Sequence, residues 1–506
     1  MSDDTSPITI SLEGEKDTIR LGEDLALALK PGDCLALIGD LGAGKSTLAR
    51  AFIRAMADEP NLEVPSPTFT LIQTYDARIA VAHLDLYRLS DVSELDELGI
   101  DEMLEDGICL IEWPDIAAEV LPAQQTILLR LTHAGNGRLA TIEAPAQARS
   151  RLNRVFAIRK FLGDHGRADA ARRFLSGDAS TRAYETISAD GADLILMDWR
   201  RPMRGAIVAD GKTYAEIAHL AQDARPFVAI GDYLKDMGFC APDILAVDLD
   251  QGILLLEDLG REGVLASDGT PIEERYLQSV ACLAALHQTP PPNLLPMRDG
   301  GTYEVPPFDR EAIKIEVSLL VEWYLPHKRG KPLTDSEKQE YEAIWDGLID
   351  SLAGCETGLL LRDFHSPNIL WQARNEGVRR VGLIDFQDAM IGPTAYDLAS
   401  IVQDARVTIS PELQARLLSH YMTRRKTVAS FDEATFLKAF AIMSAQRNCK
   451  LAGIWVRLLE RDGKPGYMKH MPRTFRYLHA ALSHPELAPL KQWCIRMGMD
   501  FNDEHG

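Results

Sequence analysis

The sequence predicts two folds in series. An α/β domain runs to about residue 148, and after a basic segment at 149–173 a two-lobed α+β domain fills 174–506. Three observations predict this. Apolar runs of strand length, "CLALIG" and "ICLIEW", alternate with the amphipathic stretch "KSTLARAFIRAMA" as far as Ala148, the rhythm of an α/β sheet. After Leu175 come short strand patterns, "AYETI" and "DLILMDW", which give a small lobe to about residue 260. Helical stretches then prevail to the end, broken by a strand pair between Leu360 and Asp385.

The composition sets limits on function. With 506 residues, 46% hydrophobic and 25% charged, the chain can bury a core in each of several domains. A net charge of −21 argues against general affinity for polyanions. The acidity is concentrated early: residues 1–150 hold 11 basic and 26 acidic side chains. The segment Arg149 to Arg173 reverses that balance and reads as a solvated linker and surface helix in preference to a nucleic-acid contact. Seven scattered Cys without a C-x-x-C pair read as buried thiols of a reducing compartment. The start "MSDDTSPITI" is not a signal peptide, and the uncharged run Tyr276 to Met297 is too short in its apolar part to span a bilayer, so the expected location is the cytoplasm.

Residues 39–47, "GDLGAGKST", lie between an apolar strand and a helix start and match G-x-x-x-x-G-K-[ST]. In such a loop Gly39, Asp40, Leu41, Gly42, Ala43 and Gly44 wrap backbone N–H groups around phosphate oxygens. Lys45 reaches the outer phosphates, the Ser46 hydroxyl can ligate Mg²⁺, and Thr47 continues the helix. Two acids end predicted strands downstream, Asp85 in "HLDLYR" and Glu112 in "CLIEWPD", where a metal-linked acid would stand.

These motifs, with "VPSPTFTL" at Val64 to Leu71, occur in the order and spacing of the bacterial TsaE family, which residues 8–145 resemble. That family is the ATPase subunit of the machinery making threonylcarbamoyladenosine on tRNA. The resemblance implies that ATP turnover here supports a partner transferase and its paralogue subunit, with tRNA met through those partners. It also implies that Thr68 is a switch contact, that Asp85 lies near the metal and the attacking water, and that Glu112 with Trp113 completes the pocket.

Far downstream, "LLRDFHSPNILW" places Asp363 five residues before Asn368, and "VGLIDFQDA" places Asp385 seventeen after it. Phosphoryl transfer from ATP to a hydroxyl needs a group to take or orient the proton and oxygen ligands for Mg²⁺. Asp363 suits the first role, and Asn368 and Asp385 the second. His365 and Arg362 read as supporting residues. Upstream, "LSGDASTRAYETI" reads as a hairpin whose turn could cover phosphates, and "LLLEDLG" as an inter-lobe hinge carrying Glu257.

Together these segments resemble the aminoglycoside-phosphotransferase-like kinases, over about residues 160–495. Within them they resemble the AmgK-type kinases, which phosphorylate the anomeric hydroxyl of N-acetylmuramate and N-acetylglucosamine in cell-wall recycling. By motif, Asp363 is the base, Asn368 and Asp385 hold Mg²⁺, and Asp178, Ala179 and Ser180 form the phosphate-covering loop, with Arg182 beside it.

The chain departs from the wider kinase pattern in two places. Met197 and Asp198 stand where a phosphate-gripping Lys is usual, and Leu361 replaces the His of H-x-D. A pseudokinase, an aminoglycoside or other metabolite kinase, and a nucleotide-dependent interaction switch at the amino end are the alternatives. Trp323, Arg447 and Lys450 are candidate sugar or carboxylate contacts, with core and surface roles equally open.

Overall fold

In the computed structural model, which describes residues 6–89, 99–117, 121–177, 182–189, 191–428 and 431–499, the amino-terminal region is built on a seven-stranded sheet. Its elements are β1 (Ile8–Leu12), α1 (Glu15–Ala28), β2 (Cys34–Gly39), α2 (Lys45–Ala57), β3 (Ile72–Tyr75), β4 (Ala80–Asp85), α3 (Ile100–Asp106), β5 (Gly107–Glu112), β6 (Thr126–Ala134) and β7 (Gly137–Glu143). The strand order is β1-β7-β6-β2-β5-β4-β3. The central strands β6, β2, β5 and β4 are mutually parallel, and the outer ones pair antiparallel. Strands β2 and β5 are apolar along almost their whole length because both faces are covered.

Residues 149–173, read above from composition alone, lie mostly in a single helix. This is α4 (Ala146–Asp164), which runs into β8 (Ala171–Gly177). Strands β8, β9 (Arg182–Ala189), β10 (Ala192–Trp199), β11 (Ile244–Asp248) and β12 (Ile253–Glu257) form a second sheet in the order β11-β12-β10-β9-β8. The two ends of α4 serve different cores. Ala148, Leu152 and Val155 pack with Leu21, Leu25 and Phe52 of the first sheet's helices. Ile158, Phe161 and Leu162 pack with Ile187, Leu196 and Leu255 of the second sheet.

The arginines of this segment are taken up by the chain itself. Arg151 pairs with Asp33, Arg154 with Asp198 and Arg159 with Asp24. Arg172, fully buried, donates Nη1 to Asp24 Oδ1 at 2.8 Å and Nε to Glu185 Oε2 at 2.7 Å, tying α1 to β8 and β9.

Two compact units result. One holds residues Met1–Asp198 with Leu245–Leu256, so both sheets lie in it. The other holds Trp199–Ile244 with Glu257–Gly506 and is mainly helical. Its functional elements are α5 (Arg310–Leu319), β13 (Thr357–Leu360), β14 (Ile369–Trp371), β15 (Val381–Leu383), β16 (Met390–Pro393), α6 (Ala395–Val402) and the 28-residue α7 (Glu433–Glu460). Strand β13 pairs with β16, and β14 with β15, all antiparallel. Helix α7 crosses α5 closely at Gly453, where a Cβ would lie 2.2 Å from the Leu319 carbonyl oxygen. Immediately beyond, Leu320–Tyr324 is a π-helical turn. Among the described residues, no helix is long and apolar enough to cross a membrane. All seven Cys are free, and six are buried.

Candidate functional sites

The phosphate loop forms where the sheet delivers it. Strand β2 ends at Gly39, with φ of 155°, where a Cβ would lie 2.5 Å from the Leu131 carbonyl oxygen and so has no room. Gly42 and Gly44 adopt φ of 78° and 107°, and Gly44 caps α2 without a side-chain bond, leaving the helix N-terminus to act on an anion. Asp40 and Leu41 are exposed at the loop tip, Ala43 is buried beneath it, and Thr47 is half-buried on α2.

Lys45 is 5% exposed. Its Nζ donates to Gly39 O at 2.7 Å and Asp40 O at 3.1 Å and stands 3.7 Å from the centroid of the Trp113 ring. Burial lowers its pKa, against the opposing pull of Glu112 and Asp85. Trp113 holds a left-handed φ of 59°, a costly conformation for an aromatic residue and one that turns it back toward the loop.

The acids converge because β2, β5 and β4 are parallel neighbours. Asp85 is in register with Glu112, so both carboxylates end adjacent strands at the edge where the loop begins. Glu112 accepts from Ser46 Oγ at 3.0 Å and contacts His83 Nε2 at 3.1 Å. Asp85 accepts from Ser66 Oγ at 2.9 Å and Thr68 Oγ1 at 2.7 Å. Thus Lys45, Ser46, Thr68, Asp85, Glu112 and Trp113 form one cluster. His83 and Ser66 join it, and their only sequence signal was membership of the quoted motifs.

In the second unit, Asp363 follows β13 on a loop held from behind. Arg362 has φ of 67° and Asp385 φ of 60°, two left-handed non-glycine residues flanking the same loop system. The buried Asp397 of α6 accepts the backbone N–H of Leu361 at 2.5 Å and of Arg362 at 2.9 Å, and Asp404 accepts that of Ser366 at 2.9 Å. Asn368 Nδ2 donates to Asp363 O at 3.0 Å and to Asp385 Oδ2 at 3.1 Å, which brings the three predicted residues together. Gln387 Nε2 donates to the other Asp385 oxygen at 2.9 Å. Asp397→Asn replaces one acceptor oxygen with a donor facing these N–H groups. It is expected to lower stability by about 1–3 kcal/mol and to lower kcat more than it changes KM, measured by thermal melts and steady-state kinetics.

Beside Asp363 lies a cavity of about 190 Å³, with Tyr214, Tyr396, Arg362, Arg447, Lys450 and Arg457 among its lining. Glu316 of α5 sits buried behind it, ion-paired with Arg362 and, at 2.7 Å, with Lys450, and bonded by Gln446. Burial would raise the Glu316 pKa, but Arg362 and Lys450 outweigh it and hold the group at about 2. Burial likewise opposes ionisation of Asp363, while Lys450, His365, Arg362 and Arg447 keep its pKa below the ordinary value, so it is a carboxylate at neutral pH. Burial takes His365 down to about 4, a neutral imidazole.

Other expectations fall elsewhere. Trp323 is half-buried in the π-helical turn and does not line this cavity. Glu257 accepts the backbone N–H of Asp243 at 3.1 Å. Arg182 opens β9 as a buried residue. Asp178, Ala179 and Ser180 lie outside the described residues. Asp198, in the kinase-lysine region, is bound to Arg154 of α4.

The donor sets suit Mg²⁺, a hard cation that takes one or two protein oxygens and completes its shell with phosphate and water. Ser46 and Glu112 offer such oxygens in one unit, and Asn368 and Asp385 in the other. The class defined by fold and sites is therefore an α/β P-loop nucleotide-binding domain joined to a two-lobed, kinase-type phosphotransferase. Residues 12–140 match the family model for threonylcarbamoyl adenosine biosynthesis protein TsaE, and residues 171–431 match that of the phosphotransferase enzyme family. The N-acetylmuramate/N-acetylglucosamine kinase of Caulobacter vibrioides is 35% identical over 347 residues, 66% of this chain and 94% of that protein. The tRNA threonylcarbamoyladenosine biosynthesis protein TsaE of Rickettsia bellii is 40% identical over 112 residues, 22% of this chain and 77% of that protein. Among solved structures, the Bacillus YdiB protein aligns with a TM-score of 0.25 at 27% identity, covering 33% of this chain and 99% of that one. The chain belongs to the phosphotransferase enzyme family and carries a TsaE-family domain at its amino end. It is an enzyme, a phosphotransferase with an alcohol-group acceptor joined to a P-loop ATPase domain.

Proposed function

We propose that the chain carries two separate ATP-dependent activities. The second unit phosphorylates the anomeric hydroxyl of N-acetylmuramate or N-acetylglucosamine, and the P-loop domain hydrolyses ATP in support of threonylcarbamoyladenosine formation on tRNA. In the kinase reaction Asp363 accepts the hydroxyl proton as the sugar oxygen attacks the γ-phosphorus, and the bond from that phosphorus to the β,γ-bridging oxygen breaks with ADP as the leaving group. The ionised state of Asp363, held by the surrounding cations, suits it to that step. Asn368 and Asp385 would hold Mg²⁺, which supplies charge neutralisation at the phosphates.

The single observation that carries the sugar assignment is the charge of the cavity. Four cationic side chains line it against one carboxylate, that of Asp363, and Glu316 behind them pairs with two of the four, which leaves an excess of positive charge. A polycationic aminoglycoside would be repelled, whereas a neutral or anionic sugar is accommodated.

In the P-loop domain, Lys45 and the loop from Gly39 to Thr47 would cradle the triphosphate, and Ser46 with Glu112 would hold its Mg²⁺. Asp85, hydrogen-bonded by Thr68 and Ser66, stands where it could orient water. The arginines of 149–173 are engaged within the chain, which supports tRNA contact through partner proteins of that pathway.

The test is a panel of amino sugars, aminoglycosides and amino alcohols assayed for ATP-dependent phosphorylation, with calorimetric counting of nucleotide. Two nucleotide equivalents per chain and phosphorylation restricted to N-acetylated amino sugars are expected. One equivalent, or turnover of aminoglycosides, refutes the reading.

A further inference from the structure

A guanidinium taken out of water without an acceptor is strongly unfavourable, so a fold that keeps one implies a ligand that meets it. The cavity beside Asp363 has one such group, Arg447, and a second guanidinium, that of Arg457, which is only partly met. Arg447, 4% exposed, has its Nη1 buried without a hydrogen-bond partner, and no carboxylate among the described residues lies within ion-pair distance of it. Arg457 is half-buried; its Nε is buried without a partner, while Tyr214 bonds the guanidinium, which stands 5.1 Å from the centroid of that ring, and Asp462 acts on its charge.

The four cations divide by position. Arg362 and Lys450 share one carboxylate, that of Glu316. Arg447 is among the charges acting on Asp363, so it faces the place where the phosphoryl group is transferred. Arg457 stands farther along the helix. It lies seven residues beyond Lys450 on the same face of α7, about 10 Å along the helix, and still lines the cavity. A charge there is placed to meet the remote side of the acceptor.

We propose that Arg457, with Tyr214 against its guanidinium, binds a carboxylate borne by the acceptor on the side away from the phosphorylated hydroxyl, so that the enzyme prefers an acidic amino sugar to its neutral counterpart. This rests on the amino-sugar reading above. In N-acetylmuramate the carboxylate is carried by a lactyl ether at the 3-oxygen, across the ring from the anomeric hydroxyl. N-acetylglucosamine lacks it, so the two sugars isolate the contact.

The experiment measures kcat and KM of the full chain for both sugars, in the wild type, Arg457→Gln and Arg457→Lys. Calorimetric binding of each sugar without nucleotide accompanies it. Losing a charged hydrogen-bond pair is expected to lower the ratio of kcat/KM for N-acetylmuramate over N-acetylglucosamine by about 30-fold, carried by KM, with partial recovery in Arg457→Lys. An unchanged ratio, whether both sugars suffer alike or neither does, overturns the proposal and returns Arg457 to the phosphoryl group or to a structural role. A wild type that phosphorylates both sugars without preference keeps the acceptor reading and removes the carboxylate site. A wild type that phosphorylates neither, yet binds the acid more tightly in a manner Arg457→Gln abolishes, removes the acceptor reading and keeps the site.

Discussion

Asp363→Asn is expected to lower kcat for sugar phosphorylation by about 10³-fold, the weight of a positioned general base, while leaving ATP hydrolysis at the P-loop intact. Asn keeps the shape of the side chain and one acceptor oxygen but cannot take the proton. Lys45→Ala is expected to do the reverse. It removes the charge that reaches the outer phosphates and abolishes P-loop turnover, while sugar phosphorylation continues. The two clusters have separate acids, and Lys45 and Asp363 belong to different compact units. Each variant is to be assayed for both activities. Loss of both in either variant would mean that the nucleotide sites work as one.

Arg172→Met is expected to break that independence. The substitution leaves Asp24 and Glu185 buried without their shared cation. Removing one partner from a buried ion pair typically costs about 3–5 kcal/mol, and here two acids lose the same partner. Thermal or denaturant unfolding should show the loss, and both activities should fall together because Asp24 belongs to the P-loop domain and Glu185 to the kinase's first sheet. Replacing all three residues with apolar ones of similar volume should recover much of the stability. A melt unchanged by Arg172→Met would mean that the bridge is unimportant to the fold.

The two clusters were legible to different depths. The phosphate loop could be read because its chemistry is contiguous, with strand, glycines, lysine and hydroxyl falling within fourteen residues. Asp85 and Glu112 were readable as strand ends, and their convergence follows from a parallel sheet. The spacing of Asp363, Asn368 and Asp385 was readable, and the structure joins the three residues through the Asn368 amide, which meets the Asp363 backbone carbonyl and the Asp385 carboxylate.

What supports that system was not readable. Asp397 and Glu316 reach the catalytic loop from 35 and 46 residues away in sequence, and only packing pairs them with it. Arg457 differs from a surface cation only through the cavity that α7 meets. Trp323 has the composition of a sugar platform, but it lies in the Leu320–Tyr324 turn and is not part of the lining of this cavity. The basic segment shows the limit of composition most plainly. Its arginines advertise charge, but their acceptors are as far off as Asp24, 148 residues from Arg172.

Helix α4 has a consequence for how this protein can vary. One rod supplies wall residues to two hydrophobic interiors, so it can melt for neither alone. Calorimetric unfolding should therefore divide the polypeptide near residue 198, not near 148 where the ancestral genes would have met. A lesion in either interior becomes a shared inheritance, and proteolysis or truncation cannot free one activity without discarding the scaffold of the other.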